Sequence, residues 1–185
     1  DNKTQGHPVL KTKKTVIRQS RSVDGGKTWI IEKPSYLDQE DNERKATPLH
    51  HAINFEAPGF AMLVRLGSAN SGFSTFYYSY DRCKTWNGPF LFPDFGRTAI
   101  IGRTDYIVNG KHEMLAFLAS VKDNGKEGWP FVAKTTDGGQ SWKLLSWIGP
   151  QPKDSGFAIM PSTVRLKNNA LLSMIRRSDV IVPDN

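Results

Sequence analysis

The sequence predicts an all-β protein assembled from repeated antiparallel sheets, and three observations carry that prediction. An octet with a fixed Asp and a closing Trp occurs three times, as Ser22–Trp29, Ser79–Trp86 and Thr135–Trp142. Its Asp positions, Asp24, Asp81 and Asp137, are separated by 57 and 56 residues. Such even spacing suits a four-stranded sheet with its connections, repeated in tandem. Between the octets lie short apolar and aromatic runs bounded by Gly, Asn, Asp or Pro, and no long segment has a helical period.

The octets read as turns. A short Asp side chain accepts hydrogen bonds from nearby backbone N–H groups and holds a loop in one shape. Glycine supplies positive φ at low cost, and the closing Trp is large enough to bury against a neighbouring sheet. Asp24, Trp29, Asp81, Trp86, Asp137 and Trp142 are therefore assigned to folding, without a catalytic part. One position departs from the pattern: Cys83 stands where the other two octets have Gly26 and Gly139. It predicts either a relaxed turn or a cysteine carrying left-handed strain.

The strands follow in order. Residues 15–33 supply the last two strands of one sheet around the first octet. Residues 50–92 make a full sheet from Ala52–Glu56, Phe60–Leu66, Ser74–Ser79 and the strand after Trp86. Residues 98–148 make another from Thr104–Val108, Met114–Ser120, Phe131–Lys134 and the strand after Trp142. Residues 157–177 give the first two strands of a fourth, Ala158–Leu166 and Ala170–Arg176. The total is twelve strands. Residues 1–14 form a basic segment in front, contributing Lys3, Lys11, Lys13 and Lys14 to an excess that continues with Arg18 and Arg21.

Composition sets the outer limits. A single cysteine forbids an intrachain disulfide and a cysteine-rich metal site. No apolar run is long enough for a membrane-spanning helix. The net charge of +7 favours anionic partners. No nucleic-acid recognition motif accompanies that charge, so nucleic acid is not the expected partner. The chain opens Asp-Asn-Lys without a starting Met, which fits a piece of a longer product or removal of a leader; in the latter case a secreted or periplasmic location is expected.

The pattern Ser/Thr-x-Asp-x-Gly-x-Thr/Ser-Trp resembles the Asp box of sialidases and related BNR-repeat β-propellers. The resemblance runs from about residue 16 to the end. It implies that residues 15–185 form a sialidase-type propeller of about three blade equivalents, half of a six-bladed ring. An open half-ring leaves two unpaired sheet edges. The expectation is a fragment, or a homodimer in which the last strands of one copy complete the first half-blade of the other.

The same resemblance places the active site at the end opposite the Asp boxes. Sialidases clamp a substrate carboxylate with three arginines and use an Asp acid/base with a Tyr/Glu nucleophile pair. Carried over, it implies Glu127 and His50 (beside His51) as catalytic candidates. Asp105 joins them from the residues themselves, since Arg103-Thr-Asp105-Tyr106 enters an inner strand where Arg103 and Asp105 either face a ligand or form a structural ion pair. Arg176, Arg177, Arg103 and Arg65 are the substrate-binding candidates, with the Ser68–Ser71 loop, the Lys122–Glu127 segment and Asp179 nearby. Guanidinium forks match carboxylates bidentately, and a carboxyl near a leaving oxygen can supply its proton. The chain lacks the Arg-Ile-Pro segment of sialidases and an assignable Tyr/Glu pair. The expected function is a sialidase-like glycoside hydrolase, or another carbohydrate-active propeller, acting on an acidic glycan without metal or cofactor. The competing expectation is a non-catalytic propeller that binds glycan or protein.

Overall fold

A computed structural model describes residues 18–33, 45–66 and 72–178. The expectations for residues 1–14, for Ser68–Ser71 and for Asp179 lie outside the described residues. Within them the protein is all-β, with twelve strands and no helix: β1 (Gln19–Arg21), β2 (Ile30–Glu32), β3 (Ala61–Arg65), β4 (Gly72–Phe73), β5 (Thr75–Ser79), β6 (Asn87–Leu91), β7 (Ala99–Gly110), β8 (Glu113–Val121), β9 (Glu127–Thr135), β10 (Lys143–Trp147), β11 (Phe157–Arg165) and β12 (Leu171–Ser178).

They form four sheets in chain order: β1-β2, β3-β5-β6, β10-β9-β8-β7-β4, and β11-β12. The third is the centre. Its middle strand β8 is buried along nearly its whole length, because alternate side chains serve two interfaces. Met114, Ala116 and Leu118 join Met62, Val64, Phe76 and Trp142 in the main core. Leu115, Phe117, Ala119 and Val121 lie in separate clusters with Val132, Ala99 and Ile101. β3 packs on β7, while β11 packs across β7, β8 and β9.

Each octet is a closed hydrogen-bond knot. Asp24 Oδ2, Asp81 Oδ2 and Asp137 Oδ2 each accept from the hydroxyl of Thr28, Thr85 or Ser141 at 2.6 Å. Each Oδ1 accepts the amide of that same residue at 2.9–3.0 Å. The leading Ser22, Ser79 or Thr135 donates its hydroxyl to Oδ1 at 2.8 Å. Cys83 keeps the left-handed backbone of the glycines it replaces, with φ 64° against 90° at Gly26 and 88° at Gly139. The turn did not relax; the cysteine took the strain.

The tryptophans differ. Trp142 is buried in the main core, whereas Trp29 is 63% exposed, so the expectation that each closing Trp buries against a neighbouring sheet fails at the first octet. In the first and third octets the indole N–H donates to the Gly26 or Gly139 carbonyl at 3.1 Å. In the second, Trp86 turns to Gln19 Oε1 at 3.4 Å, and Gln19 Nε2 donates to the Cys83 carbonyl at 2.8 Å. One glutamine from β1 therefore bridges what is a direct bond elsewhere, tying the β1-β2 sheet to the second octet.

Two strand assignments change. Ala52–Glu56 is not a strand. The segment lies against the third octet and the β7–β8 turn, through Ile53 N to the Gly138 carbonyl at 2.9 Å and Phe55 N to the Lys111 carbonyl at 2.8 Å. The β3 edge it was expected to pair is closed by side chains instead. Met62 N donates to the Tyr106 hydroxyl at 3.2 Å and Val64 N to the Thr104 hydroxyl at 2.9 Å. The central sheet also gains a fifth strand, because β4 pairs in parallel with β7 at Gly72↔Ala99 and Phe73↔Ile100. Ser74, fully buried, is the joint between β4 and β5. Its hydroxyl donates to the Ile100 carbonyl at 3.0 Å and accepts from Gly102 N at 2.7 Å.

Candidate functional site

Strand direction sorts the candidates between two ends. β8 starts beside the octet turns and runs away from them, so the β8–β9 turn and Glu127 lie at the opposite end. Arg65 also lies there, paired in register with Thr75 at the start of β5. Arg176 lies near the end of β12, opposite Ile159 of β11.

His50 does not. It precedes the segment bound to the third octet, and its neighbour His51 bonds the Tyr78 hydroxyl at 2.9 Å near the octet end of β5. Eight residues of β9 separate Glu127 from that end, about 25 Å of strand. His50 and Glu127 therefore do not share a site, and the reason is the misassigned strand: a coil crossing under the octet carries the histidines to the wrong end.

The charges of Arg103 on β7 and Arg176 on β12 reach the Glu127 carboxyl on β9. Burial pushes the Glu127 carboxyl above its ordinary range, and the positive charges of Arg103 and Arg176 pull it back only in part. The local sequence explains the arrangement. In β7 the pairing Gly102↔Leu118 jumps to Tyr106↔Ala116, so Arg103, Thr104 and Asp105 stand opposite Phe117 alone. Such a bulge re-aims side chains out of the regular alternation. In β9 a second irregularity falls between Val121↔Glu127 and Ser120↔Trp129. There a Cβ on Gly128 would meet Ile159 Cγ2 at 2.3 Å, so glycine allows β11 to approach and brings β12 with Arg176. The Arg176 guanidinium sits 5.4 Å from the Phe157 ring centre, a cation–π contact that orients it.

Asp105 shares the β7 bulge with Arg103. Burial pushes its carboxyl upward, and hydrogen bonds from Thr163 of β11 offset this only in part. Its Oδ2 is buried with no hydrogen-bond partner among the described residues. A carboxyl so placed holds its proton to higher pH than a free aspartate does. The charges of Arg103 and Arg176 thus reach one carboxyl that resists ionisation, Glu127, while Asp105, a second such carboxyl, lies about four residues of β8 (roughly 13 Å) along the sheet, beside Thr163. The arginines can bind an anion, and a carboxyl that keeps its proton can deliver it.

Two other candidates are accounted for differently. Arg177 faces away from Arg176 on the alternating strand and donates Nη1 to the Pro150 carbonyl at 3.0 Å. Lys122, expected on a site loop, is buried, and its ammonium donates to the carbonyls of Lys153 and Asp154, both at 2.8 Å, and of Gly156 at 2.5 Å. It fastens the β8–β9 turn to the segment before β11, a positioning task for the strands that hold Glu127 and Arg176.

Sequence reasoning missed a neighbouring aromatic group. Trp129, two residues along β9 from Glu127, stacks on Trp147 with centroids 3.7 Å apart. Arg97 lies 5.9 and 5.4 Å from the two ring centres and donates Nη2 to Asp123 Oδ1 at 2.9 Å. The only signal was the tryptophan pair itself, and its partner strands were not readable from spacing. Among the described residues no group of three His, Cys, Asp or Glu side chains could hold a metal ion. No family model matches the chain, and no curated protein matches it.

Proposed function

We propose that this chain is part of a sialidase-type β-propeller whose site at the Glu127 end acts on an acidic glycan. Arg103 and Arg176 receive the carboxylate of the sugar, Glu127 holds the two guanidinium groups in place, and Asp105 is the proton donor to the leaving oxygen. What supports this reading is that two arginines from different strands, Arg103 on β7 and Arg176 on β12, both act electrostatically on the partly buried Glu127 carboxyl on β9. Two guanidinium groups directed at one place suit a bidentate anion. A carboxyl raised by burial is protonated where glycosidic acid catalysis needs it.

The test is hydrolysis of a fluorogenic sialoside, followed by a panel of uronate-containing oligosaccharides. Arg176→Ala is expected to lower kcat/KM about 10- to 100-fold while leaving the circular dichroism spectrum unchanged, the loss of one charged hydrogen-bonding partner. Asp105→Asn is expected to remove the alkaline limb of the pH–rate profile, since activity falls as pH rises through the pKa of a general acid. Binding of these oligosaccharides without hydrolysis, lost equally in Arg176→Ala, selects the non-catalytic glycan-binding reading. Neither binding nor turnover of any panel member overturns both.

The two outer sheets support ring closure. β1-β2 carries a last-pair turn with its octet, and β11-β12 corresponds to a first pair. Both expose apolar side chains, among them Ile30 at 61% and Ile31 at 73%, and Leu172 at 50% and Met174 at 70%. In the closed form, β11-β12 of one copy continues β1-β2 of a second. A folded species of 20.7 kDa in solution, with no dimer at higher concentration, rules that arrangement out.

A further inference from the structure

The three octets act as internal controls for one another, and the second departs from its sisters in a patterned way. The first reads Gly25-Gly26-Lys27 and the third Gly138-Gly139-Gln140, while the second reads Arg82-Cys83-Lys84. The backbone is nonetheless the same: φ is 60° at Arg82, against 74° at Gly25 and 72° at Gly138. Left-handed backbone costs a non-glycine residue about 1–2 kcal/mol. Two adjacent residues carry that cost here, in a turn whose sisters show how glycine relieves it. Strain retained in this way is found where the side chain has a task.

What Arg82 gains is a position on a cavity of about 440 Å³, lined by Arg21, Val23, Pro58, Gly59, Tyr80, Asp81, Arg82 and Lys84. Its walls are fixed. Tyr80 is 40% exposed, yet its hydroxyl accepts from Asn54 N at 2.8 Å and its ring lies 5.1 Å from that of Tyr78. The turn is clamped by Arg82 N to the Gly59 carbonyl at 3.0 Å, where a Cβ on Gly59 would meet the Tyr80 carbonyl at 2.6 Å. Arg21 is already engaged by Glu32, with Nη2 2.8 Å from Oε2. Asp81 is saturated by its own octet. The side chains of Arg82 and Lys84 are exposed, and the charge of Lys84 also acts on the Glu32 carboxylate that holds Arg21.

We propose that this cavity, at the opposite end of the molecule from Glu127, is a binding site for an oxyanion carried on a sugar ring. Arg82 and Lys84 are its charged donors and Tyr80 is its stacking wall. A sulfate or carboxylate group suits two neighbouring cations, and an exposed, anchored aromatic face beside the apolar walls of Val23 and Pro58 suits a ring. The site is independent of the chemistry at Glu127.

The experiment is a titration of the ¹⁵N-labelled chain, at low salt, with sodium sulfate, glucosamine 6-sulfate and glucuronate, using sodium chloride as control. Saturable shifts are expected at Arg21 and at residues 80–84, with the sugars binding more tightly than inorganic sulfate. Arg82→Gly restores the sister sequence, so it is expected to fold at least as well and to weaken binding about tenfold, the loss of a charged hydrogen-bonding partner. Lys84→Gln carries the same expectation and serves if Arg82→Gly fails to fold. Arg176→Ala is expected to leave these shifts unchanged. No saturable shift at these residues, or identical titrations of wild type, Arg82→Gly and Lys84→Gln, overturns the proposal. Glucuronate binding with no sulfate response narrows the ligand to carboxylates and supports it.

Discussion

Single residues carry unequal weight in this molecule. Lys122 is a buried ammonium compensated by three backbone carbonyls, so removing it strands acceptors rather than a charge. Lys122→Met is expected to lower the unfolding free energy by about 2–4 kcal/mol, measured by urea denaturation. It should also weaken any ligand response at Glu127, because the turn before β9 loses its anchor. Cys83 has the reverse balance. Its left-handed backbone costs about 1–2 kcal/mol, against a chain-entropy cost of roughly 0.5–1 kcal/mol for glycine. Cys83→Gly is expected to raise the urea midpoint by the equivalent of about 0.5–1 kcal/mol with no change in slope. The Gln19 side-chain amide donates to the backbone carbonyl of this residue, so that bond survives the substitution.

Elements are held by devices of two kinds. The octets are local, and their carboxylates titrate together with the fold. Hydrogen bonds from Thr28 hold Asp24 down to about 2, and those from Thr85 lower Asp81 further. At Asp137 burial acts upward, but the bonds from Ser141 and Thr135 outweigh it. A carboxylate held below its unfolded value stabilises the fold above that value and loses the effect as pH falls through the folded one. The octets' contribution to stability should therefore be level above about pH 4 and decline toward about pH 2, the window between the free aspartate value and that of Asp24. Asp24→Asn should shallow that decline, read as the urea midpoint against pH. The other device is close approach between sheets. A Cβ on Gly102 would meet Val64 Cγ1 at 2.6 Å and Leu118 Cδ2 at 2.9 Å. Gly102→Ala is expected to cost about 1–3 kcal/mol through overpacking, checked by thermal unfolding.

At the scale of the whole molecule, the described sheets are finished at the centre and unfinished at the flanks. The central sheet is packed on both faces, while β1-β2 and the distal half of β11-β12 expose Val23, Ile30, Ile31, Leu171, Leu172 and Met174. Burying apolar surface stabilises by about 25 cal/mol per Å², so such faces favour a covering partner. If a second copy covers them, the double substitution Ile31→Glu with Met174→Glu is expected to leave the circular dichroism unchanged and shift the mass from dimer to monomer by light scattering. An unchanged mass would remove the proposed closure.

The octets and most strands were legible in the sequence because their causes are local. Each knot uses donors and acceptors within one octet, so residue types at fixed spacing are sufficient to specify it, and even the strained Cys83 was one of two readable outcomes. The candidates Asp105, Glu127, Arg103 and Arg176 were visible as residue types at strand ends. That the charges of Arg103 and Arg176 reach Glu127 was not, because it depends on two bulges and on a glycine that lets β11 approach. Tertiary structure alone decided that Ala52–Glu56 crosses under the third octet and takes His50 with it, that Ser74 passes the chain from one sheet to the next, and that Lys122 is an internal fastener. Each of those outcomes is set by contacts between residues far apart in the chain. Alternation of apolar and polar residues tells a strand which face to bury, but not which neighbour will cover it.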